Sequence, residues 1–184
     1  MATRTTKASS GKANTRTAAK AKTNDPVVSN DTVDVVHNEI QNDTPVVCKN
    51  GTRGNLIYKS TRNLGYEVEW NEFGEEQQIE FGELLSMRGS QRRFFEENWI
   101  LIDDPEVIKK LGVERYYKNV PSVDGFDDIF SLNPEKLKEK VSSMSNGMKD
   151  SIAMRAKELI EDGVIDSRAT IKAISEAVGK DIEE

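Results

Sequence analysis

The sequence predicts an α+β protein: a small antiparallel β-sheet or SH3-like barrel followed by a C-terminal helical bundle, with a disordered N-terminal arm. Between residues 45 and 102, apolar and polar residues alternate in short runs bounded by turn residues, as half-buried strands require. From Asp124 onward the apolar spacing changes to three and four, the period of amphipathic helices. The predicted regions are 1–28, a basic arm; 29–44, a linker or docking segment; 45–120, a β-rich domain; and 121–184, a helical domain.

The arm differs from the rest of the chain in composition and in charge. Residues 1–28 contain no aromatic residue and little apolar surface beyond alanine, so burial cannot offset the entropy lost on ordering. The arm has six basic residues and one acid, whereas the remainder has 20 basic and 31 acidic residues. A basic arm favours anionic surfaces, although a passive, solubilising segment explains the same charges. The candidate arm contacts are Arg4, Lys7, Lys12, Arg16, Lys20 and Lys22.

The β-rich region contains short runs that predict five strands. Asn50-Gly51 is a dipeptide typical of two-residue hairpins, because both residues tolerate positive φ, and it predicts such a turn after the first strand. Ser90 is predicted to cap a short helix, 91–97. A closed SH3-like barrel and an open meander both fit this pattern. The predicted strands are Val46 to Lys49, Leu56 to Lys59, Tyr66 to Trp70, Gln77 to Phe81 and Trp99 to Ile102.

Helix start and stop signals divide the rest of the chain. Asp104 with Pro105 predicts a helix that ends at Gly112, and Asn133 with Pro134 predicts another. A long amphipathic helix follows Gly147 and stops at Gly163, and the last helix runs from Asp166-Ser167 to Gly179. The pattern leaves open whether these helices form a separate domain or cover the sheet.

The sequence contains few of the residue patterns that enzyme active sites require. His37 is the only histidine and lies in the polar linker, which excludes a histidine-based triad and a histidine-rich metal site. Cys48 lies in an apolar strand and is predicted to pack in the core. The sequence therefore predicts a protein that is not an enzyme, with no cofactor and no metal. No apolar stretch approaches 18 residues, so no membrane contact is expected.

Arginine and aromatic residues cluster at one point of the predicted body. Arg88, Arg92 and Arg93 are its densest basic group and stand beside Phe94 and Phe95. Arginine next to aromatic residues is typical of protein interfaces and of phosphate-backbone contacts. The alternative is that the aromatic residues form core while the arginines pair with neighbouring acids. The candidate partner-binding residues are Arg92, Arg93, Phe94, Phe95 and Trp99.

Several stretches, together with the arm, carry a resemblance. They are Tyr66-Glu67-Val68-Glu69-Trp70, Glu83-Leu84-Leu85-Ser86-Met87-Arg88, Phe94-Phe95-Glu96-Glu97-Asn98-Trp99-Ile100, and the helical tail to Gly179-Lys180-Asp181-Ile182. In this layout the chain resembles small accessory virion proteins of tailed bacteriophages, whose flexible arms attach to a particle. The resemblance implies a non-enzymatic virion component at the capsid, neck or tail, assembled in the host cytoplasm. The resemblance does not assign a function to any particular residue of this chain.

The resemblance also sets the expected partners. They are other virion proteins present as repeated subunits, with self-association left open and nucleic acid contacted through the arm only. The alternative function is a nucleic-acid-associated regulatory protein that binds through the basic arm. The acidic body disfavours tracking of a nucleic-acid backbone by the body itself. A small hydrolase that uses two of the many carboxylates is the least favoured interpretation.

Overall fold

Two small antiparallel sheets and a series of helices form the part of the chain that the structure describes. The structure is a computed structural model, which describes residues 39–182. The arm and His37 lie outside these residues. The strands are β1 (Pro45–Asn50), β2 (Leu56–Lys59), β3 (Glu67–Trp70), β4 (Glu76–Glu80) and β5 (Ile100–Leu101). The predicted α+β class is confirmed, and the SH3-like barrel stays a prediction.

The helices follow the strands, apart from two that precede β5. The predicted start signals of three helices are confirmed, since side-chain oxygens of Asp104, Asn133 and Ser167 accept hydrogen bonds from backbone N–H groups of the first helical turn. The helices are α1 (Phe81–Ser90), α2 (Arg93–Glu96), α3 (Pro105–Leu111), α4 (Glu114–Tyr117), α5 (Pro134–Ser142), α6 (Asn146–Glu161) and α7 (Arg168–Val178), with a 3-10 helix at Asp127–Ser131.

The turn after β1 is not the predicted hairpin. Because β1 pairs with β4 along one edge and β5 along the other, it has no edge left for β2, which pairs with β3 instead. Asn50 organises the loop that replaces the hairpin: its Oδ1 accepts hydrogen bonds from N and Oγ1 of Thr52, both at 2.8 Å. Gly51 serves a close approach, since a Cβ there would lie 2.1 Å from the carbonyl oxygen of Asn98.

The prediction that Ser90 caps the next helix is also wrong. Helix α1 begins directly after β4 and ends at Ser90, and only the four residues Arg93–Glu96 form α2. Phe81, Leu84 and Met87 are buried at helical spacing. This stripe begins at the inward residue that the alternating pattern assigns to the end of β4, so the strand period conceals the helix.

Two apolar clusters meet at β5. Successive residues of a strand point to opposite faces of the sheet. Ile100 accordingly packs in the first cluster, with Tyr58, Trp70 and Phe95, whereas Leu101 packs in the second cluster, which the helices α5, α6 and α7 build. The described residues, 39–182, belong to one compact unit. β5 thus fixes the residue before it, Trp99, at the border between the sheets and the helices.

Candidate functional site

Trp99 lies where two surface depressions meet. It is partly exposed, whereas the second tryptophan, Trp70, is fully buried. Depressions of about 550 Å³ and about 410 Å³ both have Trp99 in their lining. We call the combined area the Trp99 surface. It is formed by Gln91, Arg92, Arg93 and Phe94 on one side of the indole and by Leu56, Gly147 and Met154 on the other.

A row of aromatic rings supports Trp99 from below. The ring centroids of Phe94 and Trp99 are 5.5 Å apart at an interplanar angle of 80°, and those of Tyr58 and Phe94 are 5.5 Å apart at 85°. These edge-to-face contacts contribute about 0.5–1.5 kcal/mol each beyond the area they bury. Since Tyr58 and Phe94 belong to the first apolar cluster, the indole rests on a packed core.

The start of helix α6 holds Trp99 from the side. The backbone N–H of Gly147 donates to Oε2 of Glu97 at 3.0 Å, in the first turn of the helix. A Cβ on Gly147 would lie 2.3 Å from the Glu97 carbonyl oxygen and 2.9 Å from Nε1 of Trp99. Ser151, one turn further on, donates from Oγ to the carbonyl oxygen of Gly51 at 2.8 Å. The space between the Gly147 backbone and the indole of Trp99 therefore admits glycine but no larger residue.

The two arginines of the surface differ in their partners. Nε of Arg92 lies 2.9 Å from Oε1 of Glu96, and that same oxygen accepts a hydrogen bond from the Tyr116 hydroxyl at 2.8 Å. Glu96 therefore neutralises Arg92. Arg93 is exposed and forms no ion pair within residues 39–182. Its guanidinium is the cation of this surface that is available to an incoming group.

Met154 adds an exposed apolar group on the far side of Trp99. Its side chain is 50% exposed, although it belongs to a helix whose inward residues include Met148, Ile152 and Ala156. Methionine adapts its shape to a partner surface and recurs at interfaces. Met154 lies off the apolar stripe of α6, and this is the one sequence signal from which its place at the surface could have been predicted. Leu56 and Gly147 line the surface because of long-range packing, which the sequence does not indicate.

The structure brings together four of the five predicted partner-binding residues. Arg92, Arg93, Phe94 and Trp99 line one depression, whereas Phe95 is fully buried in the first apolar cluster. Core packing therefore accounts for Phe95. The six predicted arm contacts, Arg4, Lys7, Lys12, Arg16, Lys20 and Lys22, lie outside the described residues.

Buried titratable groups lie beneath and beside the surface. Tyr58 is fully buried, and desolvation together with the Glu83 carboxyl raises the pKa of its hydroxyl. Burial raises the pKa of the Cys48 thiol to about 12, and the predicted core position of this cysteine is confirmed. Among residues 39–182 no three histidine, cysteine, aspartate or glutamate side chains are placed to hold a metal ion. No helix in the same range is long and apolar enough to span a membrane.

An ionic network lies between the loop after β1 and helix α6. Arg155 contacts Asp127 at 2.6 Å and Glu158 at 2.9 Å, and Glu158 also pairs with Arg53 at 2.6 Å. The guanidinium of Arg155 holds the pKa values of both carboxyls below their usual range. Arg53 lines the Trp99 surface next to Gly54. The network therefore joins the loop that borders the surface to α6.

Comparison with known proteins gives no relative from which a role could be transferred. The chain matches no protein-family model, and neither the curated proteins nor the solved structures give a significant match.

Proposed function

We propose that this chain is a non-enzymatic accessory protein of a tailed-bacteriophage virion, associated with the capsid, neck or tail. It attaches to repeated partner subunits through its arm and through the Trp99 surface. The observation that carries the proposal is the partly exposed Trp99, which stands between Arg93 and Met154 on a rigid aromatic base. The resemblance to small accessory virion proteins is the reason for assigning the protein to a phage particle.

The composition of the surface favours a protein partner. Tryptophan, arginine and methionine are all enriched at protein interfaces, and tryptophan and arginine dominate the residues whose loss costs most. Phe94 and Gly147 hold the indole in place before a partner arrives, so association costs little side-chain entropy. A rigid anchor of this kind suits a protein that must fill many equivalent positions on one particle.

Mass spectrometry of purified particles tests the assignment directly. We expect the protein at a fixed copy number relative to the major capsid protein. Its absence from particles would refute the proposal.

The role of the surface is tested by Trp99→Ala, produced in place of the wild-type chain during infection. We expect the variant to fold and its copy number per particle to fall at least about tenfold, since loss of an interface tryptophan costs about 2 kcal/mol or more. The matched control is Leu64→Ala, because Leu64 is 92% exposed between β2 and β3 and does not line either depression of the Trp99 surface. Unchanged incorporation of Trp99→Ala would exclude the Trp99 surface as the docking site.

The charge of the arm favours a second candidate, a nucleic-acid-associated regulatory protein. Residues 1–28 carry a net charge near +5, opposite in sign to the rest of the chain. Binding through the arm predicts an affinity for nucleic acid that falls steeply with salt and disappears when residues 1–28 are removed. Fluorescence anisotropy with a labelled DNA or RNA decides this, and no binding at low salt dismisses the candidate.

A further inference from the structure

The indole N–H of Trp99 has no acceptor within residues 39–182. Nε1 of the other tryptophan, Trp70, donates to the carbonyl oxygen of Cys48 at 3.0 Å, whereas Nε1 of Trp99 donates to no group of the described chain. Among these residues no buried side-chain nitrogen lacks a partner, so the N–H of Trp99 is accessible from outside. An indole nitrogen only donates, and covering it without an acceptor costs free energy. A group that covers Trp99 therefore has to bring an acceptor to this point.

A second unpaired donor borders the same surface. The guanidinium of Arg93 is exposed and forms neither an ion pair nor a hydrogen bond in the described part of the chain. The other charged residues that line the two depressions are paired: Arg92 with Glu96, Arg53 with Glu158, and Asp150 with Lys180. Arg93 therefore leaves the Trp99 surface with one positive charge that its own residues do not compensate.

The indole separates this charge from an apolar area. Arg93 lines the depression of about 550 Å³, whereas Leu56 and the half-exposed Met154 line the depression of about 410 Å³. A Cβ on Gly147, which also lines the second depression, would lie 2.9 Å from Nε1 of Trp99. The unpaired N–H therefore lies beside the start of α6, on the apolar side of the ring.

These features favour a protein segment with an acidic residue close to a large apolar residue. A carboxylate fits the planar fork of a guanidinium, and an apolar side chain gains by removing Met154 from water. A main-chain carbonyl oxygen supplies the acceptor for the indole N–H. Nucleic acid fits less well, because its backbone brings a charge at every nucleotide to a surface with one free cation, in a chain with 20 basic and 31 acidic residues beyond the arm.

We propose that the partner inserts an acidic residue and, two positions further on, a large apolar residue into the Trp99 surface. The carboxylate pairs with Arg93, the apolar side chain packs against Leu56 and Met154, and a main-chain carbonyl oxygen between them accepts the indole N–H of Trp99. Side chains two positions apart lie on the same side of an extended segment, so both reach the surface. The inference rests on the proposed function, because it gives the chemistry of the virion partner that this surface binds.

NMR titration of the full chain tests this with the capped peptide GEALG at millimolar concentration. Each tryptophan gives one indole N–H signal, and Trp99→Phe identifies the signal of Trp99. We expect this signal to shift and its exchange with solvent to slow at least about threefold. The signal of Trp70 is the internal control, since its N–H is buried and already bonded. No shift at Trp99, or equal shifts of both signals, overturns the proposal.

Two further peptides test the two side chains of the segment. The peptides GQALG and GEAAG are each expected to bind at least about threefold more weakly than GEALG. Equal binding of GQALG overturns the role of the carboxylate, and equal binding of GEAAG overturns the apolar contact.

A pair of variants tests whether the carboxylate contacts Arg93. In Arg93→Gln we expect the preference for GEALG over GQALG to disappear. Arg168→Gln is the matched control, because Arg168 is an exposed arginine of α7 that lines neither depression, and there the preference should persist. A preference that persists in Arg93→Gln overturns the proposal.

An oligothymidylate of about ten nucleotides tests the other class of partner. We expect it to leave the Trp99 signal in place even where the arm binds it. A shift as large as that produced by GEALG would assign the surface to nucleic acid and overturn the proposal.

These results separate the inference from the proposed function. If the chain is found in particles but GEALG leaves the Trp99 signal unchanged, the acidic and apolar segment is wrong while the virion assignment stands. If GEALG binds as expected but the chain is absent from particles, the virion assignment fails and the Trp99 surface remains a binding site for such segments.

Discussion

The hydroxyl of Tyr58 lies 2.5 Å from Oε1 of Glu83 inside the protein. Tyr58 is fully buried and Glu83 is 4% exposed, in the first turn of helix α1. The second carboxyl oxygen faces Nε of Arg62 at 4.0 Å. The pair links β2 to α1 directly beneath Phe94, so it fixes the base on which Trp99 rests.

Tyr58→Phe is expected to lower the free energy of unfolding by about 1–3 kcal/mol, because it leaves a buried carboxyl oxygen without its donor. Urea denaturation followed by circular dichroism measures the loss. Glu83→Gln is the control, since its amide oxygen still accepts the hydrogen bond, and we expect a smaller effect. Equal losses for the two variants, or none for Tyr58→Phe, would contradict the importance of this bond.

Gly147→Ala is expected to destabilise the protein and to disturb Trp99, because the new Cβ would approach the Glu97 carbonyl oxygen to 2.3 Å. The matched control is Gly89→Ala in helix α1, where a Cβ would meet nothing within 4 Å. There we expect stabilisation of up to about 1 kcal/mol from helix propensity.

Tryptophan fluorescence and thermal unfolding check both glycine variants. Because Trp70 is fully buried, a change in the accessibility of tryptophan to a quencher reports on Trp99. We expect increased quenching for Gly147→Ala only. Identical behaviour of the two variants would show that Gly147 does not support the indole.

The sequence predicted elements whose signals are local and missed those that depend on competition between elements. The caps at Asp104, Asn133 and Ser167 were predictable because a single side chain next to a helix start determines them. The hairpin at Asn50 failed because the dipeptide describes only local backbone preference, whereas both edges of β1 are taken by strands distant in sequence.

The candidate site shows the same division. Arg92, Arg93, Phe94 and Trp99 are close in sequence, so their grouping was predictable. Met154 and Gly147 reach the surface only because the start of α6 packs against Glu97 and Trp99, which no local pattern indicates. Phe94 and Phe95 point in different directions from α2. A helix of four residues is too short for the spacing of apolar residues to show which of the two faces the core.

Alkaline pH is expected to destabilise the protein partly through Cys48. Burial raises the pKa of its thiol to about 12, so the folded state keeps the thiol protonated where the unfolded chain, with a pKa of about 8.5, ionises it. This contribution is therefore complete below about pH 8.5 and is lost as pH rises toward 12. Between about pH 8.5 and 10 we expect a loss of about 2 kcal/mol.

Urea denaturation at several pH values tests this, with Cys48→Ala for comparison. The variant is expected to be less stable at neutral pH because it leaves a cavity, but its stability should fall less between pH 8.5 and 10. Parallel profiles for the two proteins would mean that the thiol does not contribute.

The network of Arg155, Asp127 and Glu158 is expected to make a small contribution that is lost in acid. The pKa values of both carboxyls are lowered, first by hydrogen bonds from Arg155, so this stability is present above about pH 4 and disappears as pH falls through the folded-state pKa values. The carboxylates are about half exposed, so solvent screening limits each pair to about 1 kcal/mol or less.

The variant Glu158→Gln should therefore be less stable than wild type at pH 7 and equally stable at pH 3 in urea denaturation. High salt should reduce the difference in the free energy of unfolding between the two proteins. Glu161→Gln, an exposed acid of the same helix, is the control with no expected effect, and a deficit of Glu158→Gln that persists at pH 3 would contradict an ionic origin.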